Sequence, residues 1–315
     1  MTNFRELGFS EERLLGGGAY SDVVLAKGAK ERVVIKIPRE SVRRSEEHEA
    51  GRFFAQGCVF PIGGVSYRDP DPREIIEAEA RCLGHIHHPA MVRLIASPAQ
   101  TGLCCLVLEY IEGPTWREAL ASKNPPTMQH VCELVEALQA MNKNGKLKSH
   151  GDIKPDNLIL QDGHKVRIID PSSGFTKIGK YDLRVRMLLT PLYNPLFERS
   201  DISALGILIM EVGTGKQPFV LATSDRPKRR IGQQLEQALG GAVAAGYARI
   251  WRHVVHMPLP RELRADFPER LEALALRCLG LKRDDDSLEW CEPLTDLGEL
   301  VSELRYFSDL RPFGP

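Results

Sequence analysis

Over residues 13–37 apolar positions come in short runs separated by glycine and charge. Residues 13–15 lead into Gly16-Gly17-Gly18, residues 23–26 are apolar, 27–30 read as a turn, and 33–37 are β-branched. The pattern predicts three strands joined by tight turns. Residues 38–72 carry charges, glycines and prolines without a sustained period, and are expected to be an insertion of about thirty residues. Residues 73–85 place Ile75, Ile76, Ala80 and Leu83 on one side of a helix, and His87-His88-Pro89 stops it. Residues 92–96 and 103–110 predict a hairpin around 98–102. Gly113-Pro114 marks a joint, after which 116–121 and 128–142 read as helices. Residues 157–169 predict a second hairpin turning at Asp162-Gly163, and 202–212 an apolar helix. From about 229 to 306 the expectation is again helical. No internal repeat is visible. The simplest partition is α+β: a small β-rich lobe over 1–111, carrying the 38–72 insertion, and a larger α-rich lobe over 112–315.

Composition narrows the class. The 315 residues are 43% hydrophobic and 27% charged, an ordinary globular balance. Lys and Arg number 42 and so do Asp and Glu, so no global charge favours nucleic acid or anionic lipid. No apolar run approaches the ~18 residues of a membrane span. The seven cysteines form no C-x-x-C pair, which argues against zinc and redox motifs and for reduced thiols in the cytoplasm. Cys104 and Cys105 are expected to alternate faces of a strand. His85, His87 and His88 crowd together but sit at a helix end, where solvent or capping roles outweigh metal binding. The basic cluster 226–230 reads as a solvated loop rather than a docking site for an acidic partner.

The candidate chemistry lies in two places. Glycines at 16, 17 and 18, between two strands, let backbone N–H groups approach phosphate closely. Lys36 closes the apolar strand 33–35. Either its ammonium finds an anion or it is an exposed strand end. More specific is His150-Gly151-Asp152-Ile153-Lys154-Pro155-Asp156-Asn157, followed by a hairpin that ends in Asp170. Two oxygen ligands and an intervening base suit a magnesium–nucleotide site.

At these residues the chain resembles the eukaryotic-type Ser/Thr protein kinase family, over roughly 10–220 and more weakly to the end. The resemblance implies a bilobal fold with ATP between the lobes. Leu15, Gly16, Gly17, Gly18, Ala19, Tyr20, Ser21 and Val23 then look like the nucleotide-covering loop. Lys36 looks like the phosphate-holding lysine, and Glu79 like its helix-borne partner. Val34 and Ile159 would enclose the adenine, with Leu108 at the gatekeeper position and Glu109 and Ile111 in the hinge. Asp152 matches the catalytic aspartate, Lys154 its neighbouring lysine, and Asn157 and Asp170 the ligands of magnesium or manganese. Residues 190–195 resemble the substrate-docking end of the activation segment, and Asp201 onward the large buried helix. The family implies transfer of phosphate to Ser or Thr of protein substrates, together with autophosphorylation. Small-molecule kinases of the aminoglycoside or choline type, and a pseudokinase scaffold, are the rival readings. Lys154-Pro155 and the docking segment favour a protein substrate.

The chain also departs from the family. Gly151 stands in place of the arginine that meets an activation-segment phosphate. The metal triplet is Asp170-Pro171-Ser172, without the usual Phe and Gly. Val34 replaces a small alanine, Ser21 the third glycine, and Leu196 a glutamate. The expectations are activity independent of that phosphate and an insertion, over 39–70, that lies over the small lobe and modulates the Glu79 helix rather than performing chemistry.

Overall fold

The computed structural model describes residues 8–18, 20–40, 58–60, 71–145, 147–171, 187–189, 193, 201–218, 220–221, 254–284 and 287–310. In chain order come β1 (Ser10–Gly17), β2 (Ser21–Lys27), β3 (Arg32–Pro38), β4 (Cys58–Phe60), α1 (Pro72–His85), β5 (Leu94–Ala96), α2 (Pro98–Thr101) and β6 (Leu106–Glu109). The first lobe is thus a five-stranded antiparallel sheet, ordered β1-β2-β3-β6-β5, with α1 packed on β3. There follow α3 (Trp116–Leu120), α4 (Met128–Lys143), β7 (Leu158–Gln161), β8 (Lys165–Ile168), β9 (Met187–Leu189) and α5 (Ile202–Thr214). Beyond them lie β10 (Val220–Leu221), β11 (Val254–His256), α6 (Pro260–Leu263), α7 (Glu269–Cys278), β12 (Leu281–Asp284), β13 (Ser287–Trp290) and α8 (Leu297–Leu304). The bilobal kinase-like α+β architecture expected from the sequence is the one found. Among the described residues no helix is long and apolar enough to cross a membrane.

The pleat of the sheet sorts its side chains into two cores. Val33, Ile35, Cys105 and Val107 point to the outer face, where they pack with Ala26. Val34, Leu106 and Leu108 point inward and join a continuous core that runs through α1 into the helices of the second lobe. Strand alternation therefore puts Lys36, two residues beyond Val34, on the cleft side. The cysteine pair behaves as expected: Cys105 is in the outer core, and Cys104 packs against the inner one.

Helix α1 starts with a capping box. The Asp71 side chain accepts from the Arg73 N–H at 2.8 Å, the Glu74 side chain accepts from the Asp71 N–H at 3.2 Å, and Pro72 occupies the first turn. Its buried stripe contains Ile75, Ile76, Ala80 and Leu83, as the spacing predicts, and also Glu79. His85 and His87 are exposed, and the His88 Nδ1 accepts from the Ala90 N–H at 3.2 Å, a turn role. Every residue of α5 is buried, Ser203, Glu211 and Thr214 included, in keeping with its predominantly apolar sequence.

Two findings depart from the pattern reading. The stretch from 229 to 306 is not uniformly helical: residues 229–253 lie outside the described residues, β11 is a strand, and β12 and β13 form a hairpin. Leu288 and Trp290 alternate after the polar run Asp284-Asp285-Asp286, and Leu281 faces Trp290 across the pair, a signal too short to stand out between the adjoining helical periods. Gly280 lets the chain leave α7, with φ of +67°, and a Cβ there would lie 2.7 Å from the Trp290 ring. The second departure concerns the insertion. Its residues Cys58–Phe60 pair antiparallel with Met187–Leu189, just before the stretch 190–195. The remainder of it, 41–57 and 61–70, lies outside the described residues.

Gly280→Val should be destabilising by about 2 kcal/mol, because it adds both backbone strain and a clash with Trp290. A thermal melt should show Tm lowered by roughly 5 °C, and an unchanged Tm would refute the packing argument. Val59→Pro should disrupt the β4–β9 ladder. Hydrogen exchange of the 187–189 amides should then quicken at least tenfold, and exchange at the wild-type rate would mean that β4 does not hold that strand.

Candidate active site

Lys36 is 7% exposed, so burial disfavours its charge, yet two carboxylates reach it. Its Nζ donates to Glu79 Oε2 at 2.6 Å and to Asp170 Oδ1 at 2.5 Å. β3 delivers the lysine, α1 the glutamate, and the loop after β8 the aspartate. Burial alone would lower the ammonium's pKa, but Asp170 and Glu79 overcome it and raise it. Burial pushes the wholly enclosed Glu79 carboxyl up to about 7 against the pull of Lys36. Burial also pushes Asp170 up, but Lys36, helped by Lys154 and His150, outweighs that and holds it below the usual range. The Asp170 side chain remains 47% exposed, open toward the cleft. It sits at φ +61° immediately before Pro171, a rare conformation for a residue in that position.

The second cluster follows α4. The Lys154 ammonium lies 2.8 Å from Asp152 Oδ2. The Asn157 Nδ2 donates to the Asp152 carbonyl at 2.8 Å and to its Oδ2 at 3.1 Å. Burial opposes the Lys154 charge, but Asp152 and, more weakly, Asp170 raise its pKa. With Nδ2 committed to Asp152, the amide oxygen of Asn157 is the atom left for a ligand. Asn157 and Asp170 thus offer two hard oxygen donors, a set that fits a magnesium ion sharing phosphate oxygens. Among the described residues no group of three His, Cys, Asp or Glu side chains could hold a metal without such a ligand.

The catalytic-loop backbone hangs on Asp201. Its Oδ2 accepts from the His150 N–H at 2.7 Å and its Oδ1 from the Gly151 N–H at 2.8 Å. The buried His150 ring accepts the Asp152 N–H at Nδ1, which leaves Nε2 to donate to the Ile169 carbonyl at 2.9 Å. One imidazole therefore couples the Asp152 loop to the Asp170 loop. Gly151 has φ of +85°, a conformation that glycine adopts without strain and an L side chain does not. The missing arginine and this backbone geometry go together.

Around the expected nucleotide position, Gly17 approaches its neighbours closely: a Cβ would lie 2.6 Å from Arg39 Nη2 and 2.8 Å from the Ser21 carbonyl. Gly16 and Gly18 face open space. Leu15 is 40% exposed, Tyr20 and Ser21 are buried, and Val23 is half-buried. Val34 pairs with Leu108 across β3 and β6, with Glu109 and Ile111 following, and Ile159 lies on β7. Ala19, Ser172 and residues 190–192 and 194–196 lie outside the described residues.

Among the described residues, ion pairs absent from the sequence reading include three that bear on the cleft and the docking stretch. Arg39 donates to Asp22 Oδ1 at 3.0 Å from Nε, bracing the base of the glycine loop. Arg167 pairs with Glu109. Arg117 donates to Glu211 Oε1 at 2.6 Å and to the Tyr193 hydroxyl, which in turn donates to Glu211 Oε2 at 2.6 Å. The last cluster fixes Tyr193, within the expected docking stretch, to the floor formed by α5. Arg117 and Glu211 are 94 residues apart, and no local pattern links them.

Comparison with known proteins agrees with this geometry. The family model for the protein kinase domain matches residues 9–279. The serine/threonine-protein kinase PknB of Mycolicibacterium smegmatis is 26% identical over 251 residues, covering 73% of this chain and 36% of the relative. The PknB protein of Mycobacterium tuberculosis is 27% identical over 234 residues, 68% of this chain and 33% of that protein. The serine/threonine-protein kinase pkn2 of Myxococcus xanthus is 29% identical over 170 residues, 46% of this chain and 20% of that one. The chain spans about a third or less of the length of these relatives. With a family model covering most of the sequence and a cleft built around Lys36, Glu79, Asp152 and Asp170, the chain belongs to the protein kinase family.

Proposed function

We propose that this chain is a Ser/Thr protein kinase that transfers the γ-phosphate of ATP to hydroxyls of protein substrates, itself included. The observation that carries the reading is the double pairing of Lys36 with Glu79 and Asp170 across the cleft. A scaffold that only bound partners would have no need of a buried cation so arranged. Lys36, oriented by Glu79, holds the α- and β-phosphates. Asn157 and Asp170 are the residues that would hold magnesium, which supplies positive charge at the β- and γ-phosphate oxygens. Asp152 orients the acceptor hydroxyl and takes its proton as oxygen bonds to the γ-phosphorus and the bond to the β-phosphate oxygen breaks, releasing ADP. Lys154 neutralises charge on the transferred group. Catalysis then rests on positioning and electrostatics more than on covalent chemistry. Leu15, Val23, Val34, Leu108 and Ile159 enclose the adenine, and the backbone of Glu109 to Ile111 receives its edge.

The absence of a cation at Gly151 supports activity that needs no phosphate on the activation segment. The β4–β9 pairing supports control through the insertion, exerted on that segment directly. The scattered cysteines, without a C-x-x-C pair, support a cytoplasmic location.

Incubation of pure protein with magnesium, γ-labelled ATP and a generic protein acceptor tests the reading. Label on Ser or Thr is expected. Transfer only to small alcohols or amines would support the aminoglycoside-type reading, and ATP binding without turnover the scaffold. Asp152→Ala should lower kcat at least a hundredfold while changing ATP affinity only a few-fold, because a positioning base acts mainly on the transition state. Lys36→Ala should impair both, since its charge also meets ground-state phosphate. Near-normal transfer by Asp152→Ala would overturn the assignment. Phosphatase-treated protein should phosphorylate an exogenous acceptor from the first time point. A lag removed by pre-incubation with ATP would show that activation-segment phosphate is required after all.

A further inference from the structure

The hinge is held at both ends on the same C-lobe hairpin. At its exit the backbone makes the tie. The Leu160 N–H donates to the Pro114 carbonyl at 3.0 Å, Thr115 bridges to Ile159, and a Cβ on Gly113 would lie 2.5 Å from the Leu160 carbonyl. At its entry the tie is a side-chain pair: Arg167 on β8 donates through Nη2 to Glu109 Oε1. That same Oε1 accepts from the Arg93 N–H at 2.7 Å, and the Glu109 N–H donates to the Arg93 carbonyl at 3.1 Å. Arg167 is itself oriented by a 2.7 Å bond from Nη1 to Gln161 Oε1. The Arg167 and Glu109 side chains are only 13% and 21% exposed, so solvent does little to loosen them. The Arg93 guanidinium points elsewhere, 4.0 Å from Glu31. Arg167 also stands opposite Ile159 in the β7–β8 register, on the same face of the hairpin.

We propose that Arg167 is a positioning residue for nucleotide selection: by holding the Glu109 carboxylate it fixes the peptide edge from Glu109 to Ile111 against which adenine docks. The inference rests on the nucleotide reading given above. It assigns Arg167 no contact with phosphate or with the reacting atoms. Its loss should therefore weaken recognition of the base and spare recognition of the triphosphate.

The test is calorimetric titration of wild type, Arg167→Ala and Arg167→Lys with magnesium-ATP and with magnesium tripolyphosphate, alongside steady-state kinetics. Arg167→Ala should weaken ATP binding and raise its KM about tenfold. Tripolyphosphate affinity should change less than twofold, and kcat at saturating ATP should fall less than threefold. Arg167→Lys, which keeps a cation in reach of Glu109, should recover at least half of the lost ATP affinity on a logarithmic scale. Arg167→Gln supplies the same comparison if the alanine variant fails to fold. ATP affinity within twofold of wild type, or equal losses for ATP and tripolyphosphate, would overturn the proposal, the second outcome showing general damage to the fold. A wild-type protein that binds ATP without transferring phosphate would sink the kinase reading and leave this test intact.

Discussion

A lysine ammonium with 7% exposure cannot stay charged in a protein interior without anions beside it, and Lys36 has two. Glu79 comes from the helix of the first lobe and Asp170 from a loop of the second. The ion triad therefore fixes the distance between α1 and β3 and, at the same time, the closure of one lobe on the other. Removing Glu79 leaves a buried charge less well compensated, a change that typically costs about 3–5 kcal/mol for an enclosed pair, whereas the half-exposed Asp170 is worth less because solvent screens it. Asp170 is the more labile partner, because its side chain is half open to the cleft and its backbone is strained. This suits the metal-binding role proposed for Asp170.

Below that triad the structure repeats one device, a buried acid that holds a loop by its backbone or by one cation. Asp201 accepts two N–H groups of the catalytic loop, and burial raises its pKa against that stabilisation. Glu211 gathers Tyr193 and Arg117. Both acids belong to or cap α5, whose apolar surface is covered on every side. The helix is thus a rigid floor from which the chemistry-bearing loops are suspended. Loops on a rigid scaffold keep residues from distant parts of the chain in register.

Gly151 shows how a departure from family pattern becomes intelligible only with backbone geometry. In the sequence it is a missing cation. In the structure it is also a residue at φ +85° whose N–H is tied to Asp201. An arginine there would bear backbone strain as well as a charge in need of a partner. The pairing of β4 with β9 ties the insertion to the stretch just before 190–195 through the backbone alone.

The strands of the first lobe and the stripe of α1 are legible because their periods of 2 and 3.6 residues are local properties of the chain, and α5 because its run is predominantly apolar. So are Lys36, Glu79, Asp152, Asn157 and Asp170, whose order and spacing resemble a known family. The β12–β13 hairpin was missed because its alternation is short and lies between two helical periods. Other features were beyond any local reading. That Glu79 and Asp170 share one ammonium, that Arg167 reaches Glu109 across 58 residues, and that Arg117 and Glu211 converge on Tyr193 are facts about elements packed from opposite ends of the chain. Residue types and their periods dictate which side chains can carry charge and which faces have to be buried. Tertiary structure alone decided which charges would meet, because burial makes a charge choose its partner and only packing sets which partners are within reach.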